Sequence, residues 1–129
     1  MRALDTNVIV RFLLGDDEEQ AEVAREVLEA PTLIPLTVLL ETAWVLRSRY
    51  RFTREQIAAI LSELIDLGPV HVEEPQAIRW AIGRLAAGAD IADMIHLVAA
   101  QSATSFATFD LSVANAAGDA PPVPIETLR

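Results

Sequence analysis

A chain of 129 residues, 52% hydrophobic and 22% charged, is long enough to bury one substantial core and too apolar to be disordered, so a single domain over residues 1–129 is expected. No apolar run reaches the ~18 residues that suggest a membrane span, and the lack of cysteine excludes disulfides, thiolate metal sites and cysteine nucleophiles. The net charge of −9 opposes general attraction to phosphate backbones, although the placement of charge matters more than its sum.

Met1 leads directly into the first strand, which gives no room for a signal peptide and makes the cytoplasm the expected location. Ala3 and Leu4 read as a short buried strand that delivers Asp5 to its C-terminal tip. Asn7 opens a mostly apolar helical run, Val8 to Leu14, ended by Gly15. Open α/β sheets bind ligands at the carboxyl ends of their strands, which makes Asp5 a ligand candidate. Taken alone, Asp5 is better explained as a helix cap; three further carboxylates along the chain overturn that balance.

The acidic block Asp16-Asp17-Glu18-Glu19 starts a second helix predicted to reach about Ala30, with Val23, Ala24, Val27 and Leu28 as its apolar stripe. Thr32-Leu33-Ile34 is a short strand between Pro31 and Pro35. The next helix, Thr37 to about Tyr50, is apolar nearly all round in its first half and is expected to be buried there. Glu41 sits in the middle of that surface. A buried carboxylate must be protonated, paired or bound to a cation, so Glu41 is a second candidate ligand, the partner of a buried arginine, or a side chain that points into solvent through a gap.

All ten basic residues are arginine, and Arg47, Arg49, Arg51 and Arg54 fall close together. They can meet phosphates in bidentate fashion as RNA contacts, or simply form a solvated helix end that suits the dipole. Thr53 with Gln56 has the form of a capping box, and Ile57, Ile60, Leu61, Leu64 and Ile65 follow at helical spacing. Gly68-Pro69 ends that helix, and Val70-His71-Val72 alternates as a strand with His71 outward. Pro75 fits the first turn of a helix whose buried stripe is Ile78, Ala81, Ile82 and Leu85, with Trp80 in the core or facing a partner.

Asp90 and Asp93 share a face near the start of the following helix. Asp90 is accounted for as its N-cap. Asp93, in the first turn, both suits the dipole and projects past the helix end as a third candidate ligand; His96, one turn on, is expected to pack or to support the site. Ser105 to Thr108 reads as a strand followed by Asp110, repeating the strand–carboxylate–helix order seen at Asp5. The last strand is predicted at Val123-Pro124-Ile125, its proline confining it to an edge.

Strands alternating with helices predict a three-layer α/β/α architecture around a central, mostly parallel sheet of about four to five short strands. In it Asp5, Glu41, Asp93 and Asp110 reach the same rim, where four carboxylates repel one another without a cation. Oxygen ligands alone select Mg²⁺ or Mn²⁺, and such a site suits hydrolysis of a phosphodiester. Haloacid-dehalogenase-type phosphatases need an aspartate where Asn7 stands. They, receiver domains and P-loop NTPases all use a lysine, and the chain has none.

The segments Leu4-Asp5-Thr6-Asn7-Val8, the helical Glu41, Ala89-Asp90-Ile91-Ala92-Asp93 and Thr108-Phe109-Asp110, in this order, resemble a PIN domain over essentially the whole chain. The length and the missing lysine-dependent motifs are similar to the VapC-type toxins of bacterial toxin–antitoxin pairs. The resemblance implies an endoribonuclease acting on single-stranded or structured RNA. Asp5, Glu41, Asp93 and Asp110 would form its acidic site around one or two Mg²⁺ or Mn²⁺ ions. It also implies that Thr108 supports the site through its hydroxyl, that Asn7 positions a ligand or water, and that Glu41 or Asp93 orients the attacking water. A small antitoxin would be the partner, and a homodimer is usual. The alternative is a non-catalytic PIN-like module that binds RNA or protein.

Overall fold

The computed structural model describes residues 1–129. Its central strand, β2 (Thr32–Ile34), lies between β1 (Arg2–Ala3) and β3 (Val70–Val72), both parallel to it. Arg2 is in register with Thr32, and Ile34 with Val72. β2 can occupy the middle because Thr32 and Ile34 are fully buried. A second parallel pair, β4 (Phe106–Thr108) and β5 (Ile125–Thr127), aligns Phe106 with Ile125. The strands are therefore divided between a three-stranded and a two-stranded sheet, and the central sheet is smaller than the four to five strands expected.

Two strand boundaries differ from the sequence reading. Leu4 lies beyond β1, although its N–H still donates to the Leu33 carbonyl at 2.9 Å. The last strand begins at Ile125 rather than Val123. Pro124 has no N–H to give a ladder; its carbonyl accepts from the Phe106 N–H at 2.7 Å and leads the chain into pairing.

Parallel neighbours need long crossovers, supplied here by seven helices compatible with a three-layer α/β/α fold. Helix α1 (Thr6–Leu14) ends at Gly15, whose φ of 63° is left-handed, a conformation glycine adopts without steric cost. Helix α2 (Glu18–Val27) stops short of Ala30. Its buried residues are Ala21 and Ala24, with Leu28 buried at its C-cap, while Val23 is 60% exposed. At about 100° per residue, Val23 falls on the far side of the helix from Ala21.

Helix α3 (Leu36–Ser48) overturns the expectation of an all-round buried first half. Leu39, Thr42, Ala43 and Leu46 face α1, α4 (Arg54–Asp66) and α6 (Ile91–Ala99), whereas Thr37, Glu41 and Trp44 are exposed. Neighbours cover one face only, so apolar composition did not translate into burial. The capping box of α4 forms as predicted, with Thr53 and Gln56 exchanging hydrogen bonds of 2.9 and 3.1 Å. Pro75 opens α5 (Pro75–Ala86), which buries Ile78, Ala81, Ile82 and Leu85. One connected apolar core runs from Leu4 to Val123; each fully buried Leu or Ile in it stabilises the fold by ~1.5–3 kcal/mol. No helix is long and apolar enough to cross a membrane.

Candidate active site

Asp5 follows β1 and caps α1, its carboxylate accepting from the Thr6 N–H at 2.7 Å. Capping and placement at the strand end are thus compatible, because the cap position is also the sheet rim. Asp5 lines a cleft of about 690 Å³ together with Asn7, Thr37, Glu41, Trp44 and Arg49. Glu41 reaches it from α3 through the exposed helical face, so it is neither buried nor paired with an arginine.

The other two acids form a second pair. Asp93 lies in the first turn of α6, where Asp90 is the N-cap and accepts from the Asp93 N–H at 3.2 Å. Partial burial, then the charges of Asp90 and Asp110, raise the Asp93 pKa above the ordinary aspartate value, with His96 opposing. His96 is exposed rather than packed. Asp110 lies between β4 and α7 (Val113–Ala117), and its pKa is lowered by hydrogen bonds from Ser112. The Ser112 hydroxyl and N–H both donate to Asp110 Oδ1, at 2.6 and 2.9 Å. The Thr108 hydroxyl accepts from the Asp110 N–H at 2.9 Å, fixing the backbone that carries the carboxylate.

Asp93 and Asp110 do not line the Asp5–Glu41 cleft, whose wall includes Ala92, the residue before Asp93 in the chain. A donor set of carboxylates suits a hard divalent cation, and the repulsion that Asp93 feels is the kind a cation relieves. The side chains as placed do not close such a site: no three Asp, Glu or His groups are gathered as metal ligands. Fit is met in chemistry and not in side-chain closure.

The four clustered arginines separate. Arg49 lines the acidic cleft, while Arg47, Arg51 and Arg54 line another concavity of about 700 Å³. Sequence reasoning missed Trp44, Tyr50 and Arg11 in the cleft wall, and Ser112 beside Asp110. Two signals were available: Trp44 is three residues after Glu41 on α3, and Asp110-Leu111-Ser112 has the spacing of an aspartate turn. Phe109 and Leu111, on either side of Asp110, are 74% and 76% exposed.

Comparison with curated proteins gives no match. The profile of the PIN domain family matches residues 2–119, a span that begins before Asp5 and ends after Asp110. The chain belongs to the PIN domain family, a fold generally used by nucleases.

Proposed function

We propose that this PIN domain is an endoribonuclease dependent on Mg²⁺ or Mn²⁺ that serves as the toxin of a toxin–antitoxin pair. One juxtaposition carries the reading: Asp5 and Glu41 share a cleft whose wall includes Ala92, the chain neighbour of Asp93, and Asp93 feels the charge of Asp110. Asp5, Glu41, Asp93 and Asp110 would hold the cation. When bound, it offsets the charge of these acids and polarises the phosphodiester.

The chain's own residues do the rest. Hydrogen bonds from Ser112 favour the ionised form of Asp110, and Thr108 holds the backbone that carries it. Glu41, free of any salt bridge, would orient the attacking water. Asn7 supplies an amide to a phosphate oxygen or that water, and Arg49 supplies a guanidinium to a phosphate on the same wall. An apolar groove of about 600 Å³ between α1 and α2, with Val8 and Val23 in its walls, adjoins the cleft at Asn7 and Arg11. It suits the amphipathic helix of a small antitoxin, and a homodimer is the proposed assembly.

The rival reading, a non-catalytic module that binds RNA or protein, draws on the unclosed arrangement of the acids. It leaves unexplained why a binding surface would keep Asp93 and Asp110 in mutual repulsion. The deciding experiment incubates RNA with the protein and Mn²⁺, with and without EDTA. Cleavage that EDTA stops and Asp93→Asn lacks is expected; equal cleavage by Asp93→Asn removes Asp93 from the site.

A further inference from the structure

Three concavities beside α3 share their walls. Leu40, Trp44 and Ala92 line both the acidic cleft and a hollow of about 430 Å³. Arg47 and Arg54 line both that hollow and the arginine concavity that contains Arg51. Shared walls set the three side by side as a grooved surface leading from Asp5 and Glu41 to Arg51. Trp44 stands in it, 64% exposed. Glu41, Trp44 and Arg47 follow at three-residue steps on one face of α3, covering about 9 Å of helix.

The far end of the groove is cationic and uncommitted. The chain's two salt bridges are Arg11–Asp16 and Arg79–Asp66, so Arg47, Arg51 and Arg54 have no acidic partner. Glu55 is the one acid in the arginine concavity. Arg51 has a φ of 59°, a left-handed conformation that usually falls to glycine or asparagine after a helix. Arginine there holds a side chain in the concavity wall at a conformational cost.

We infer that this groove is a binding track for single-stranded RNA: one base stacks on Trp44, and the phosphates beyond it lie against Arg47, Arg51 and Arg54. A single strand, unlike a duplex, presents the open base face that an exposed indole can stack on. Unpaired guanidinium forks match phosphate oxygens. An acidic peptide would use the arginines but has no flat group for Trp44. Only the role of the track in feeding the acidic cleft rests on the nuclease reading; binding itself does not.

The test measures binding of a fluorescein-labelled single-stranded RNA of mixed sequence by the full chain at low salt in EDTA. Trp44→Ala is expected to weaken binding about tenfold, with Trp44→Phe retaining most of it. Each of Arg47→Ala, Arg51→Ala and Arg54→Ala is expected to reduce the slope of log K against log salt by roughly 0.7. Unchanged binding and slope in these variants, no binding by the wild type, or equal binding of an acidic peptide would overturn the track. Loss of fold is read separately from melting curves, and Trp44→Phe with the salt slopes decides the matter if Trp44→Ala melts early. The two readings fail differently. RNA bound through Trp44 but not cut in Mn²⁺ sinks the nuclease and leaves the track. Cleavage with kcat and KM unchanged in Trp44→Ala sinks the track and leaves the nuclease.

Discussion

Asp110 adds, after burial and the charge of Asp90, to the raised pKa of Asp93, while hydrogen bonds from Ser112 lower that of Asp110. One acid of the pair is therefore favoured as a carboxylate, and the other is penalised for ionising. Helix-dipole attraction at the first turn of α6 works the opposite way.

That balance sets a pH dependence. A carboxyl whose pKa is higher folded than unfolded binds its proton more tightly in the native state. Its favourable contribution is full below the unfolded pKa and is lost as pH rises through the folded one. Asp93→Asn removes the penalty and is expected to raise Tm at pH 7 by roughly 1–3 °C. The gap from wild type should close on acidification below the Asp93 pKa. Thermal melts of both proteins across pH 3–7 check this, and a Tm difference independent of pH would remove charge as the cause.

Divalent cations should relieve the same repulsion. Mg²⁺ or Mn²⁺ at about a hundred times its Kd is expected to stabilise the wild type by ~2.7 kcal/mol through mass action. Asp5→Asn and Asp93→Asn should respond weakly or not at all. Differential scanning fluorimetry over a cation titration gives the answer. A wild type indifferent to both ions would favour the non-catalytic module.

A third expectation lies in the sheet rather than at the site. Thr32 is fully buried in β2, and its Oγ1 has no hydrogen-bond partner. An unsatisfied buried hydroxyl costs ~1–3 kcal/mol. Thr32→Val, close to it in shape, should stabilise the protein by about 1 kcal/mol or more, measured by urea denaturation. A destabilised variant would mean that a bound water satisfies the hydroxyl.

How far the sequence reached depended on the kind of signal. The helical stripe of α5 and the capping box at Thr53 were legible because both are local: spacing and one side-chain exchange decide them. Asp5 was legible as a rim residue because strand, acid and helix are consecutive. Glu41 was read as buried because Val38, Leu39 and Leu40 precede it and Ala43 to Leu46 follow closely. Which helical face is covered depends on α1, α4 and α6, and local apolarity does not reveal that. The division of the strands into two sheets was hidden for a related reason, since strands of two or three residues carry almost no register information. Ser112 was missed because its hydrogen bonds to Asp110 depend on the chain turning after β4.

The remaining prediction concerns the wall of the acidic cleft that α1 and the end of α3 build together. Tyr50 donates to Asp16 Oδ2 at 3.0 Å, and Arg11 donates to Asp16 Oδ1 at 2.9 Å. Tyr50 and Arg11 both line the cleft, so Asp16 ties its two sides from behind. The Tyr50 hydrogen bond is the largest cause of a lowered Asp16 pKa; burial comes next and opposes it, and the Arg11 charge and hydrogen bond lower it further. The sign is therefore opposite to that of Asp93: the stabilisation is present above the unfolded pKa and is lost as pH falls through the folded one. Tyr50→Phe removes the main cause. The Asp16 carboxyl should then titrate closer to an ordinary aspartate when followed by carbon-detected NMR. The variant should melt earlier than wild type at pH 7 and no earlier once Asp16 is protonated in both. Arg11, left with one neighbour fewer to hold its partner, should also bind Asp16 less tightly and broaden the cleft wall. An Asp16 titration unchanged by Tyr50→Phe would show that the phenol does not set its charge, and the wall would owe its position to Arg11 and Gln20 instead.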